Sequence, residues 1–456
     1  MKAGLLPLYI ALYDVGAKHL RVRLGEFYDK IADMLRQRGV DLVTNEICTV
    51  KDEFNAAVKK FEDEGCDAIF TIHLAYSPSL ESAEVLANTK LPIIIIDTTD
   101  TEDFSSNCDP ANISYCHGIH GVMDMCNMLK KAGKPYAIAA GYYEDGAVLD
   151  KAVGLLKAAV SAESVIGSKV GSIGGYFDGM GDFQIEDSRL KELFNVDVIY
   201  PKDGELKAIS DNVTNEEIEI EKQKNKADFE FIKEIDDNIY ANSVKADVTL
   251  KKWIESNNLN ALTVNFRNIN GLPTMPFMGC CRALQNGIGY AGEGDKFTAM
   301  FVGGLLKGYK ETSFVEIFCP DWKNNTLLIS HMGEMNYAVA DKKPTAYEMN
   351  FIYGECDNPI VATAAYKAGN AVFLNAFEDD KGLNLLISPV TVKSETSDNF
   401  CQQIRGWLDF GMPIGDVLTN ISEYGVTHHS MLVYNTTVEE MRFFAECLAL
   451  KPIIIK

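Results

Sequence analysis

The chain has 456 residues, 47% of them hydrophobic and 24% charged, which suits roughly two to four globular domains and excludes a mostly disordered protein. Lysine and arginine total 43 against 65 aspartates and glutamates, a formal net charge of −22. So acidic a surface argues against nucleic acid or an anionic membrane as the principal partner, since both reward a basic face.

The opening MKAGLLPLYIALYDVG holds a short apolar run that Asp14 ends, with no Ala-x-Ala-like cleavage site after it. Residues 5–13 therefore read as a first buried strand and not as a leader. A helical stretch over 18–38, a strand over 40–47, a helix over 51–64 and apolar runs at 67–74 and 91–97 follow, with a helix near 79–87 between those runs. A strand at 136–143 and a helix at 147–159 extend the alternation. Continuous apolar strands separated by amphipathic helices predict a parallel sheet covered on both faces, and a first domain over 1–165.

A second α/β unit is expected over 166–309, with its clearest strands at 196–200 and 261–266. The charged stretch 215–237 reads as one solvated helix. The segment GSIGGYFDGMG (171–181) matches neither Gly-x-Gly-x-x-Gly nor a P-loop, so no nucleotide site is assigned to it. Beyond residue 309 the pattern changes to short strands at 313–319, 326–332, 359–368, 371–378 and 383–392, punctuated by Gly, Asn and Asp. This predicts an antiparallel β-rich, barrel-like third domain over 310–456, closed by a helix at 438–448 and a strand at 452–455. No internal repeat is visible. No run approaches the length of apolar sequence a transmembrane helix needs. The 11 cysteines are odd in number, scattered and without a Cys-x-x-Cys pair, as expected for free thiols in a reducing cytoplasm.

Only 7 histidines are present, so their grouping is informative. His428 and His429 are adjacent in GVTHHSML, and His331 lies in LLISHMGEMN. Glu293 sits between glycines in GYAGEGDKFTA, where a helix N-terminal charge is the simpler explanation. Glu316 interrupts the apolar TSFVEIFCP, and a carboxylate on a buried strand is costly unless paired or metal-bound. With a hairpin turn at 322–323, Glu316 falls opposite Ile329, and His331, one pleat repeat further, shares its face. Two glutamates and two histidines with open positions suit Mn²⁺, Mg²⁺ or Co²⁺ better than a closed thiolate zinc site.

The segments GYAGEGDKFTAMFVGGLL, TSFVEIF, LLISHMGE and THHSMLVYNTTVEEMRFFAE resemble, in order and spacing, the L-arabinose isomerase family, within the superfamily that also holds L-fucose isomerase. TVNFRNINGLP, SYCHGIHG and, more weakly, CDAIFTIHLAYSPS match as well. The resemblance implies a manganese-type aldose–ketose isomerase with two α/β domains and a C-terminal β-rich domain. It implies Glu293, Glu316, His331 and His429 as metal ligands, and Glu293 with Glu316 as the acid/base pair. His428 and Phe266 would face the sugar, and His117 would reach the active site of a neighbouring subunit in a homotrimer or homohexamer. The chain departs from the family where ALYDVGAKHL replaces a glycine- and glutamine-containing loop, at Lys296, and in the short IFCP after Glu316. These departures leave open L-fucose, D-arabinose or D-galactose as substrate. A catalytically silent sugar-binding homologue is the alternative from a different class.

Overall fold

The computed structural model describes residues 1–394 and 399–455. The chain forms two compact units, Met1–Val160 and Ser161–Lys456. All eleven cysteines are free, and among the described residues no helix is long and apolar enough to cross a membrane.

In the first unit five parallel strands run side by side in the order Asp41–Thr44, Lys2–Leu8, Ala68–His73, Ile93–Asp97, Tyr136–Ala140. Ala68–His73 is buried at every position and Ile93–Asp97 at its first four, as strands covered on both faces must be. The helix Leu20–Gln37 turns Leu20, Leu24, Phe27, Ile31 and Leu35 inward at helical spacing. The first strand stops at Leu8, short of the predicted Tyr13, and Ala11–Gly16 is a short helix. Leu12 and Val15 are exposed, so the apolar run outlasts the strand.

His73 ends the third strand in a buried site where, among the described residues, neither ring nitrogen has a hydrogen-bond partner. Burial holds its pKa down, at about 3 against an ordinary 6.5. The unfolded chain therefore binds a proton that the native state refuses as pH falls through 6.5, and stability falls with it until about pH 3. Between pH 7 and 4.5 this amounts to roughly 2.5 kcal/mol. Urea unfolding of His73→Gln should show a smaller acid-induced loss than the parent chain. Equal losses would show that His73 is not the acid-sensitive group.

The second unit contains a four-stranded parallel sheet, ordered Gly289–Gly292, Ala261–Val264, Lys169–Ile173, Asp197–Ile199. It also contains a closed antiparallel barrel. Around the ring, Thr312–Asp321 pairs with Thr326–Ser330, then Gly406–Asp409, Gly382–Lys393, Gly369–Asp379 and His429–Tyr434, which returns to Thr312–Asp321. Val315, Leu327, Phe373, Leu386, Leu408 and Leu432 fill its core. Closure removes the edges that an open meander would expose. The last strand, Lys451–Ile454, adds parallel to Gly382–Lys393.

Two further expectations are corrected here. The charged stretch predicted as one helix is broken: Asn215–Asp228 ends before the short strand Glu230–Phe231, and Asp236 caps a new helix, Asp237–Asn257. Ile360–Thr363 leaves the barrel to join Thr345–Glu348 and Glu230–Phe231 in a small separate sheet.

Candidate metal centre

Glu293 lies just past the parallel strand Gly289–Gly292, before the helix Lys296–Gly308. Its φ of 64° is in the left-handed region, costly for a residue with a side chain and typical of functional strain. Its glycine neighbours are needed for space. A Cβ on Gly294 (φ 92°) would lie 2.3 Å from the Gly175 carbonyl oxygen, and one on Gly292 would press on the His331 ring at 3.0 Å. The turn thus holds Glu293 where no ordinary loop would leave it.

The predicted hairpin register is one residue out. Asp321 pairs with Thr326, so the turn is centred later than expected, and a bulge at Phe318 takes part of the shift back. Glu316 therefore faces Ser330, not Ile329. His331 still reaches it, because the strand ends at Ser330 and the chain turns there: His331 Nε2 lies 3.8 Å from Glu316 Oε2. On its other side Glu316 is paired directly with His429 of the neighbouring barrel strand. That cross-strand pair is invisible to local sequence reading.

The side chains converge. His429 Nε2 is 3.5 Å and His428 Nε2 3.6 Å from Glu293 Oε2. Candidate ligand atoms of Glu293, His428 and His429 lie within 4.8 Å of one another, as do those of Glu316, His331 and His429. Each histidine is held from behind by a carboxylate. His331 Nδ1 donates to Glu334 at 2.6 Å, His429 Nδ1 to Asp295 at 3.0 Å, and His428 Nδ1 to Asp182 at 2.7 Å. These contacts leave all three Nε2 atoms for the centre, the arrangement that orients metal-binding imidazoles. Glu334 is fixed in turn by the Tyr290 hydroxyl and the Gly333 amide.

Burial alone would lower the His331 pKa, but Glu334, Glu316 and Glu293 together bring it up to about 9. Burial likewise opposes, and Asp182 and Glu293 overcome, the rise of His428 to about 10. Burial raises the Glu316 carboxyl. Five carboxylates around three imidazoles form a field that attracts cations. A divalent ion fits it: Glu293 Oε2 and His429 Nε2 are both buried, face each other at 3.5 Å and, among the described residues, make no hydrogen bond. Unpaired buried polar atoms cost about 1–3 kcal/mol each, which coordination would remove.

Of the residues singled out in the sequence, Glu293, Glu316, His331, His428 and His429 are brought together. Phe266 joins an aromatic group with Phe177, Phe351 and Tyr353, and the Phe177 amide donates to the Glu293 carbonyl. His117 belongs to the first unit, between the Tyr13 hydroxyl and the Ile113 carbonyl, each at 2.9 Å. Lys296 pairs with Asp187 and lies over the Tyr176 ring.

Sequence reading missed Asp182, Asp295 and Glu334. The Gly-rich segment carries a role here: directly after it, Asp182 accepts from the His428 amide and ring, and Phe183 stacks on His429 at 4.8 Å. Asp295 and Glu334 each lie within three residues of a proposed ligand, the one signal available. Asp295→Asn should weaken Mn²⁺ binding by about ten- to a hundredfold, since the amide cannot satisfy both Thr298 N and the imidazole as the carboxylate does. Unchanged affinity in a metal titration would mean that Asp295 serves only as a helix cap.

Residues 188–307 match the L-arabinose isomerase central domain, and residues 311–451 match the L-arabinose isomerase C-terminal domain. The chain is 22% identical to L-arabinose isomerase of Aeromonas hydrophila, over 97% of this chain and 93% of that protein. It is 25% identical to L-arabinose isomerase 1 of Bacillus licheniformis, over 86% and 81% respectively. Among solved structures, a periplasmic solute-binding protein of Actinobacillus succinogenes with bound D-allose is 13% identical, over 67% of this chain and 91% of that one, at a TM-score of 0.18.

Proposed function

The chain belongs to the L-arabinose isomerase family, and on that premise we propose that it is a divalent-metal-dependent aldose–ketose isomerase acting on a free pentose, 6-deoxyhexose or hexose. The observation that carries this reading is the facing pair of buried atoms Glu293 Oε2 and His429 Nε2, 3.5 Å apart and without a hydrogen bond among the described residues, within a ring of carboxylates. A silent sugar-binding protein would have no reason to maintain strained backbone at Glu293 and three oriented imidazoles.

Glu293, Glu316, His331 and His429 would hold the ion, Mn²⁺ by preference for mixed oxygen and nitrogen donors, with Mg²⁺ or Co²⁺ as substitutes. A bound divalent ion supplies Lewis-acid polarisation of the sugar carbonyl and stabilises developing enediolate charge. The conversion moves one hydrogen between C1 and C2 and one proton between their oxygens. Glu293 and Glu316 are the carboxylates placed to take and return those protons on one face of a cis-enediol. His428, gripped by Asp182 with Nε2 inward, donates to a sugar hydroxyl, and Phe266 packs against the sugar's apolar face.

The experiment is a screen of aldoses, L-arabinose, L-fucose, D-arabinose and D-galactose included, with Mn²⁺, scored by ketose formation before and after EDTA. Metal-dependent turnover of at least one sugar is expected. Sugar binding without turnover on any of them would establish the silent alternative.

The family resemblance also supports a homotrimer or homohexamer in which His117 completes the site of a neighbouring copy. His117→Ala and Glu316→Ala chains, each inactive, should on mixing recover up to about a quarter of the activity, because some ring interfaces pair two intact residues. An active monomer, or no recovery after verified subunit exchange, removes His117 from the site.

A further inference from the structure

Away from the metal centre, the helices Asn215–Asp228, Asp237–Asn257 and Phe277–Gln285 enclose a cavity of about 400 Å³. That size lies within the range of small-molecule sites. Asp247 lines it and is only 7% exposed. Its Oδ1 accepts the Gly279 amide at 2.8 Å. The approach is built into the sequence, because a Cβ on residue 279 would lie 2.9 Å from that oxygen. Oδ2 meets no donor among the described residues, yet it is not among the side-chain atoms sealed from solvent. Asp247 lines the cavity, so we take Oδ2 as the oxygen it offers there.

The other charges at the cavity are already paired with one another. Glu221 lies 3.1 Å from Lys224 and 3.3 Å from Arg282, Arg282 also meets Asp228 at 3.0 Å, and Lys251 lies 3.9 Å from Glu255. Asp247 alone lacks a counter-charge. Burial pushes its carboxyl up to about 8, against the lowering effect of the Gly279 amide, the direction expected of a largely buried acid without a counter-charge.

These features select the ligand. A bare metal ion needs several oxygen ligands, and here one carboxylate oxygen is free. An anion meets a buried acid. A neutral alcohol supplies a hydrogen bond but no charge. A protonated amine supplies both, and a short hydrocarbon body suits the walls of Val248, Ile254, Ala283 and Ile288. We propose that this cavity is a second, separate binding site that takes a small organic ammonium ion, its nitrogen on Asp247 and its apolar body against those four side chains. The proposal is independent of the isomerase reading.

The test uses the whole 456-residue chain at about pH 8.5, where burial no longer keeps Asp247 protonated. n-Butylammonium, n-butanol and n-butyrate are titrated by ligand-observed NMR. Saturable binding of n-butylammonium is expected, with n-butanol at least about tenfold weaker and n-butyrate not bound. Asp247→Asn keeps an acceptor for the Gly279 amide but turns an N–H toward the cavity, and should weaken n-butylammonium at least about tenfold with little change in thermal stability. Ala283→Leu, which fills the cavity without touching the charge, should weaken it too. Equal binding of amine and alcohol, undiminished binding in both variants, or no saturable binding of n-butylammonium to the parent chain would each overturn the assignment.

Discussion

Alanine in place of Glu316 or His331 should lower Mn²⁺ affinity at least about a hundredfold, or about 2.7 kcal/mol. Each substitution removes one proposed ligand atom and also strands a partner. Without the imidazole, Glu334 keeps the Tyr290 hydroxyl and the Gly333 amide but loses the buried Nδ1–H donor at 2.6 Å. Without Glu316, His429 loses the carboxylate its strand pairing places beside it, and His331 loses the one 3.8 Å from its Nε2. The measurement is a calorimetric titration, with metal content counted per chain: about one ion in the parent, less in each variant. Full metal occupancy in the double variant would rule out this ligand set, whatever happens to activity. EDTA should abolish turnover in the parent, and Mn²⁺ should restore it.

Glu293→Gln is expected to reduce kcat at least about a hundredfold when assayed at saturating Mn²⁺. The amide keeps the size and one oxygen of the carboxylate but cannot serve as a base, and general base catalysis is worth about 10²–10⁴ in rate. Saturating metal separates this loss from weakened coordination, because Glu293 is proposed for both roles. The strained φ of 64° gives the test further force. A residue kept in the left-handed region only to favour a helix N-terminus would be better replaced by glycine or asparagine. A near-normal rate for the glutamine variant would reduce Glu293 to that structural role.

Much of this protein could be read from local pattern. The parallel strands around Ala68–His73 and Ile93–Asp97 were visible as unbroken apolar runs, because burial on both faces leaves no polar alternation. Glu316 stood out because an acid inside an apolar strand demands a partner, and Glu293 because glycines flank it. The choice among ligands came from resemblance to a family.

Tertiary structure decided the rest, for reasons of distance along the chain. A turn centred later than expected and a bulge at Phe318 set the hairpin register, and neither leaves a clear mark in composition. Barrel closure joins strands far apart in sequence, and only that closure sets His429 opposite Glu316. Asp182, Asp295 and Glu334 are three acids among 65 in the sequence, and nothing local separates them from solvated ones. Sequence period reports which face of an element is buried. Which side chains meet across that buried face depends on register and closure, and those are settled only when non-local strands pair.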